Sequence, residues 1–202
     1  MTGNISFVRY SESHKEKTRL LVLREAAAAI RAKGAERVSV AEVMAAAGLT
    51  HGGFYAHFES KDDLVAQAIT HMFDVMHGRF LSLTEGREPA AAIANYVDSY
   101  LGASHRLEPA DGCPVATLSG DLPNMPERAR ERFTDGTERW AAALAKLAKK
   151  LGVKDAEAVA WSAIAEMAGA LALSRTVSDA RAAAILRNSG ANVKARFGLA
   201  AR

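Results

Sequence analysis

Apolar residues recur with a helical period along most of the chain. Leu23, Ala26 and Ile30 lie three and four positions apart in a segment that begins near Lys17 and meets Gly34, a residue suited to end a helix. Residues 1–15 are polar and carry no such period, so they read as a flexible arm. Ser39 stands where it would cap a second helix, and Glu42, three residues on, completes a possible capping box. That helix has Val40, Val43 and Ala47 on its apolar face and ends at Gly48. Thr50 opens a third, short helix over residues 51–58, in which Phe54 and Phe58 share a face. Ser60 caps a fourth, with Asp63 placed to reach back and Leu64, Ile69, Phe73, Met76 and Phe80 following.

A glycine and a proline in residues 86–89 break the pattern before the second half. There Ile93, Tyr96, Val97, Tyr100 and Leu101 form a clear amphipathic stripe. Residues 109–126 hold four of the five prolines and read as irregular. A long helix follows from about Pro126, with Phe133, Trp140, Leu144, Leu147 and Leu151 as its stripe and Gly152 at its end. Two more helices span about 155–173 and 179–197. The expected fold class is therefore all-α, with about nine helices and no strand.

Composition agrees: 42 alanines against 5 prolines, with 6% aromatics, favour close-packed helices over a sheet. The formal balance of 26 basic and 23 acidic residues, +3, permits a polyanionic partner without requiring one. A single cysteine excludes a disulfide framework and a cysteine zinc site, and fits a reducing compartment. No secretory signal opens the chain. The most apolar stretch, 159–173, is interrupted by Ser162 and Glu166 and reads as too short to span a bilayer. A cytoplasmic protein without membrane contact is the expectation.

Residues 39–58, SVAEVMAAAGLTHGGFYAHF, read as helix, tight turn, helix. In a helix-turn-helix the second helix enters the major groove while the first crosses the backbone. Gly48 supplies the residue tolerant of positive φ that such a turn needs, and Ala45–Ala47 are small enough for close helix approach. The longer string from Thr18 to Leu64 resembles the DNA-binding domain of the TetR family of bacterial transcriptional regulators. The match rests on Thr18-Arg19, Gly34, Ser39-Val40, Ala47-Gly48-Leu49-Thr50, Phe54-Tyr55, His57-Phe58 and Ser60-Lys61 before Leu64, in order and at the family's intervals.

The resemblance implies a flexible arm over 1–15, a helix-turn-helix domain over 16–62 and a helical ligand-binding and dimerisation domain over 63–202. It implies that Thr50 begins the recognition helix, that His51 and Gly52 face base edges, and that Gly53 lets the backbone near a phosphate. Tyr55 and His57 would contact the sugar-phosphate backbone, and Lys61 and Ser39 would each engage a phosphate. The paired glycines depart from the pattern, because they offer no side chain and each costs about 1 kcal/mol of helix propensity. Direct readout then leans on His51 and on Ala56 against a thymine methyl, with groove shape supplying the rest.

The second half has two expected tasks. Ala160, Ile164, Met167 and Leu171, with Leu186 and Val193 on the last helix, form small apolar faces suited to a four-helix dimer interface. A homodimer would present two recognition helices to a pseudo-palindromic double-stranded DNA operator. Met72, Phe73, Met76, Tyr96, Tyr100 and Trp140 could line one cavity for a small, largely apolar effector. Cys113 reads first as a small buried hydrophobe and second as a thiol that senses oxidants or electrophiles.

Catalysis is not expected. The six histidines form no His-x3-His pair, His71 and His77 fall on different faces of one helix, and no nucleophile-elbow, phosphate-loop or dinucleotide motif is present. No metal and no cofactor are implied. The resemblance implies a homodimeric repressor released from its operator by a small, largely apolar or electrophilic effector; the alternatives are an interaction module that kept the helix-turn-helix but lost specific DNA binding, and an activator.

Overall fold

The computed structural model describes residues 5–199, which form helices and no strand among the described residues. Nine α-helices run in order: α1 Ile5–Lys33, α2 Val40–Ala46, α3 Lys61–Thr84, α4 Pro89–Tyr100, α5 Ala103–Leu107, α6 Pro114–Leu118, α7 Glu127–Lys150, α8 Ala156–Ser174 and α9 Asp179–Arg196. Three 3₁₀ turns, His51–Ala56, Pro109–Asp111 and Ser119–Asn124, fill the gaps. Three of the four prolines of the irregular stretch start elements: Pro114 occupies the first turn of α6, Pro109 that of a 3₁₀ turn, and Pro126 caps α7, while Pro123 lies inside the third 3₁₀ turn.

The helix begins at Ile5, so residues 5–15 are helical and not the loose arm that their polarity suggested; residues 1–4 lie outside the described part. The reason is that amphipathicity reports packing, not helicity. Residues 14–17 are exposed on every side and have no core to face, so no apolar period is selected there.

Two apolar cores share one frame. The first joins Val22, Ala26 and Ile30 of α1, Val43 and Met44 of α2, Phe54 and Phe58, and Leu64, Ile69 and Phe73 of α3. The second joins Phe80 of α3, Ile93, Tyr96 and Tyr100 of α4, Trp140 and Leu144 of α7, and the inner faces of α8 and α9. Helix α3 enters both, and it crosses α7 where Gly136 lies against the Phe73 ring. The expected division after residue 62 thus falls in the first turn of a helix that both cores use.

The face expected to pair two subunits is turned inward. Ala160, Ile164, Met167 and Leu171 of α8, with Leu186 and Val193 of α9, are all buried within the one chain. Helix α8 carries apolar residues on more than one side, broken by Glu157, Ser162 and Glu166, so its stripe could not be assigned to one partner or another by periodicity. At 19 residues it is also long and apolar enough to cross a bilayer, contrary to the shorter stretch read from the sequence. Its buried half packs with the second core, as a core helix does.

Candidate nucleic-acid interface and effector cavity

The helix-turn-helix closes through its glycine. Gly48 has φ +71°, and the Gly48 and Leu49 amides donate to the carbonyls of Ala45 (3.0 Å) and Met44 (2.8 Å). These paired bonds satisfy the last carbonyls of α2 and turn the chain by a left-handed residue. Nothing lies within 4 Å of a Cβ built there, so backbone angle and not crowding selects glycine. The next element is a 3₁₀ turn, His51–Ala56, shorter and tighter than the α-helix expected over 51–58. Gly52 and Gly53 account for the difference, since both favour the unfolded backbone over an α-helix.

Alternation within that turn decides what faces out. Phe54 and Phe58 are 2% exposed and stack with their centroids 5.6 Å apart, anchoring the segment on the first core. Tyr55, between them, is 73% exposed and meets Phe54 edge-on at 5.2 Å. Thr50, His51, Gly52 and Ala56 are also exposed; Ser39, Gly53, His57 and Lys61 are half-buried. The structure therefore leaves Thr50, His51, Gly52, Tyr55 and Ala56 exposed along one short segment, with Ser39, Gly53, His57 and Lys61 only partly so.

The expected caps are met only in part. Ser39 and Thr50 have extended cap backbones but make no cap bond through their hydroxyls, and Glu42 pairs with Lys33 instead of reaching back to Ser39. Ser60 does cap α3, accepting from the Asp63 amide at 3.1 Å, while the Asp63 carboxylate accepts from the Glu59 amide at 3.1 Å. Buried Asp63 also accepts from Gln67 (2.7 Å) and pairs with Arg128 of α7 at 3.2 Å. Arg128, which the sequence pattern did not single out, thereby ties the start of α3 to the second half of the chain. Lys61 donates to the Glu36 carbonyl at 2.8 Å and keeps two further donors for a phosphate. Arg19 lies over the Phe58 ring, 5.6 Å from its centroid, and bonds Gln67. His57 has its pKa lowered, by desolvation first and then by Lys15 and Arg19.

A second site lies between α3, α4 and the segment that follows α5. Its cavity of about 120 Å³ is walled by Met72, Met76 and Leu83 of α3, Tyr96 and Tyr100 of α4, and Cys113, among others. Four of the six expected lining residues are there. Phe73 is not: its ring turns away to meet Phe133 edge-on at 5.3 Å beside Gly136. Trp140 is not in the wall either, since it lies behind Tyr100, stacked on it with centroids 5.5 Å apart. The members not expected there include a guanidinium and an imidazole. Arg79 follows Met76 by less than a turn on the exposed side of α3, and His105 is buried in α5, a helix of five residues.

The Tyr96 and Tyr100 hydroxyls and the Trp140 Nε1 are buried without a hydrogen-bond partner of normal geometry, the Tyr96 hydroxyl lying near the Trp140 indole and the Tyr100 hydroxyl near the Cys113 thiol. Burial raises both phenol pKa values well above their ordinary range, so both stay protonated. His105 is fully used. Its Nδ1–H donates to the Tyr100 carbonyl at 2.7 Å, and its Nε2 accepts from the Cys113 amide at 3.0 Å, which defines a neutral ring in one tautomer. No group of three His, Cys, Asp or Glu side chains that could hold a metal ion occurs among the described residues.

Two sequence profiles match this chain. One, described as bacterial regulatory proteins of the tetR family, covers residues 22–68; the other, the C-terminal domain of LmrA/YxaF-like transcriptional regulators, covers residues 89–188. The chain belongs to the TetR family. Its fold is similar to that of a TetR transcriptional regulator from Chloroflexus aurantiacus, with 25% identity, a TM-score of 0.78, and coverage of 93% of this chain and 98% of that one. It is similar also to reduced NemR of E. coli, with 20% identity, a TM-score of 0.77 and coverage of 88% and 96%. A TetR-family regulator from Cytophaga hutchinsonii gives 20% identity, a TM-score of 0.77 and coverage of 94% and 98%. No protein among curated sequences matches significantly.

TetR-family membership makes the chain a transcriptional regulator with a DNA-binding helix-turn-helix, not an enzyme. Within the TetR fold of this chain, Cys113 is 2% exposed, and burial raises its thiol pKa, only partly offset by the Tyr100 hydroxyl, the Ala116 and Val115 amides and Arg31. A protonated, enclosed thiol is a poor nucleophile, which favours the structural reading of Cys113 over the sensor. Native protein is expected to react with a maleimide far more slowly than denatured protein, measured by mass spectrometry; equal rates would restore the sensor.

His105 has its pKa lowered, first by desolvation and then by Arg79, Arg175 and Arg31 against the opposing bond to Tyr100. Below the unfolded value of about 6.5 the unfolded chain binds more protons than the folded one, so stability falls as pH drops. His57 and His71 are lowered too and act in the same direction. Thermal melts from pH 7.5 to 5 should show a falling midpoint, with a shallower fall in His105→Gln. Parallel profiles would remove His105 from the account.

Proposed function

We propose that the chain is a cytoplasmic, homodimeric repressor that binds a pseudo-palindromic operator and is released by a small, largely apolar effector in the Tyr96–Tyr100 cavity. The observation that carries the DNA reading is the exposure of Thr50, His51, Gly52 and Tyr55 on a segment anchored by buried Phe54 and Phe58. Exposed aromatic and hydroxyl groups on a short rigid turn suit phosphate and base-edge contacts, and Lys61 at the margin adds charge.

The dimer reading moves to the outer face of α8. Ala158, Trp161, Ala165, Gly169 and Leu173 are exposed and recur at helical spacing, with Trp161 40% and Leu173 59% accessible. An apolar face of this kind on a helix already packed on its other side suits a symmetric partner. Trp161→Glu should convert a dimer to monomer in sedimentation velocity while leaving the circular dichroism of the helices intact. A dimer that survives unchanged would place the interface elsewhere.

Coupling between cavity and DNA surface has a direct route. The Arg31 Nη1 of α1 donates to the Ala110 carbonyl at 2.9 Å, and the adjoining Asp111, Gly112 and Cys113 wall the cavity. Three residues beyond Arg31, Gly34 ends α1 and the chain enters the helix-turn-helix. A ligand that displaces this wall would shift α1 and with it the separation of the two recognition turns.

The test is fluorescence anisotropy with inverted-repeat fragments from the DNA around the gene, titrated with salt. A repressor binds one fragment preferentially, with affinity falling steeply and linearly in log–log form as salt rises. Binding without sequence preference, or none, would favour an interaction module. A reporter placed behind the bound fragment separates repression from activation.

A further inference from the structure

We infer that the cavity between α3 and α4 selects a one-ring aromatic acid, with its ring against the α3 methionines and its carboxylate accepting from the Tyr96 and Tyr100 hydroxyls. The inference rests on reading this cavity as the effector site and names the chemical class that the site takes. Size comes first. About 120 Å³ is of the same order as an engineered apolar cavity of about 150 Å³ that admits benzene, and exposed Val75 and Arg79 leave this one open at one side, so its volume suits one ring and not a fused polycycle. Met72, Met76 and Leu83 give that ring a polarisable, adaptable apolar wall.

The polar end is set by two phenols. Tyr96 and Tyr100 are 3% and 4% exposed, both line the cavity, and neither hydroxyl has a partner of normal geometry. A buried hydroxyl without a partner is costly, so an occupant that leaves both stranded is disfavoured. His105 cannot compete for the ligand, because both ring nitrogens are already bonded, and a thiol is only a weak donor.

Charge decides between an acceptor and a donor. Arg79 is in the wall itself, and Arg31 and Arg175 brace the wall from behind, donating to the Ala110 carbonyl at 2.9 Å and the His105 carbonyl at 3.0 Å. Asp111 is the one carboxylate in the lining. Within the lining one guanidinium, Arg79, stands beside one carboxylate, Asp111, and Arg31 and Arg175 bonded to the adjoining backbone tip the surroundings toward an anion over an amine.

The experiment uses the full-length protein without DNA and four probes of one ring: benzoate, benzyl alcohol, benzylamine and toluene. Titration calorimetry and thermal melts should show saturable benzoate binding at least tenfold tighter than benzyl alcohol, and no saturable binding of benzylamine. Tyr96→Phe and Tyr100→Phe, checked for folding by circular dichroism, should each weaken benzoate by about tenfold. Arg79→Met should weaken benzoate while leaving benzyl alcohol unchanged. Equal binding of toluene or benzylamine, undiminished benzoate binding by both tyrosine variants, or no binding of any probe at millimolar concentration would overturn the assignment. Benzoate binding that leaves operator affinity unaltered would uphold the ligand class and overturn the effector reading. Operator release by another compound, with no benzoate binding, would do the reverse.

Discussion

Tyr55→Asp is expected to reduce operator affinity by about 2–3 kcal/mol, or roughly 30- to 150-fold, because it sets a carboxylate against phosphate where a neutral phenol stood. The side chain is 73% exposed and makes only an edge contact with Phe54, so the thermal midpoint should move little. Tyr55→Phe serves as the graded control: loss of the hydroxyl alone should cost about 1 kcal/mol. Anisotropy titrations at fixed salt measure both. Affinity unchanged in the aspartate variant would remove this turn from the DNA surface, and with it the assignments of Thr50, His51 and Gly52. The neighbouring Lys61→Ala should instead lower the salt slope by about one, the signature of a lost phosphate charge.

Gly136→Val should lower stability by about 3 kcal/mol, at the upper end of ordinary overpacking costs. A Cβ at Gly136 would fall 2.2–2.6 Å from the Phe73 ring, and valine adds two further methyl groups to that clash. The ring has little freedom to yield, since it is 1% exposed and held edge-on against Phe133. Phe73→Ala alone should cost about 3–5 kcal/mol by leaving a cavity. The double variant should lose clearly less than the sum, since each change relieves the other, and urea titration of all four proteins measures the coupling. Additive losses would show that the α3–α7 crossing tolerates a side chain. The position matters for function because α3 joins the two cores, and its first turn is tied to Arg128 of α7 through Asp63.

Much of the DNA-binding half was legible from the residues. Gly48 at the turn, the Phe54–Phe58 pair and the Ser60 cap are all local, with both partners within a few positions of each other, and local geometry follows from local sequence. Less legible was the form of the recognition element, where two glycines convert an expected α-helix into a 3₁₀ turn. The helical state of residues 5–15 was misread because exposed helix, as at residues 14–17, leaves no apolar record. Of the cavity, Met72, Met76, Tyr96 and Tyr100 were found from their stripes, yet the same stripes carried Phe73 and Trp140 into a wall that they do not form. Arg79, His105 and Arg128 could not be found in this way: Arg79 stands on the exposed side of α3, His105 sits in a helix of five residues too short to show a period, and the partner of Arg128 is Asp63 on a distant element.

The chain alone determined that it would be all-helical, where most helices begin and end, and which segment makes the helix-turn-helix, because spacing, capping residues and positive-φ glycines act within one or two turns. Tertiary structure alone decided which face of an apolar helix is inside. Helix α8 has apolar residues on more than one side, and only its packing between α7 and α9 shows that Ala160, Ile164, Met167 and Leu171 are core while Trp161 and Leu173 look outward. Periodicity records that a side chain avoids water; the neighbour that shields it is a property of the assembled fold.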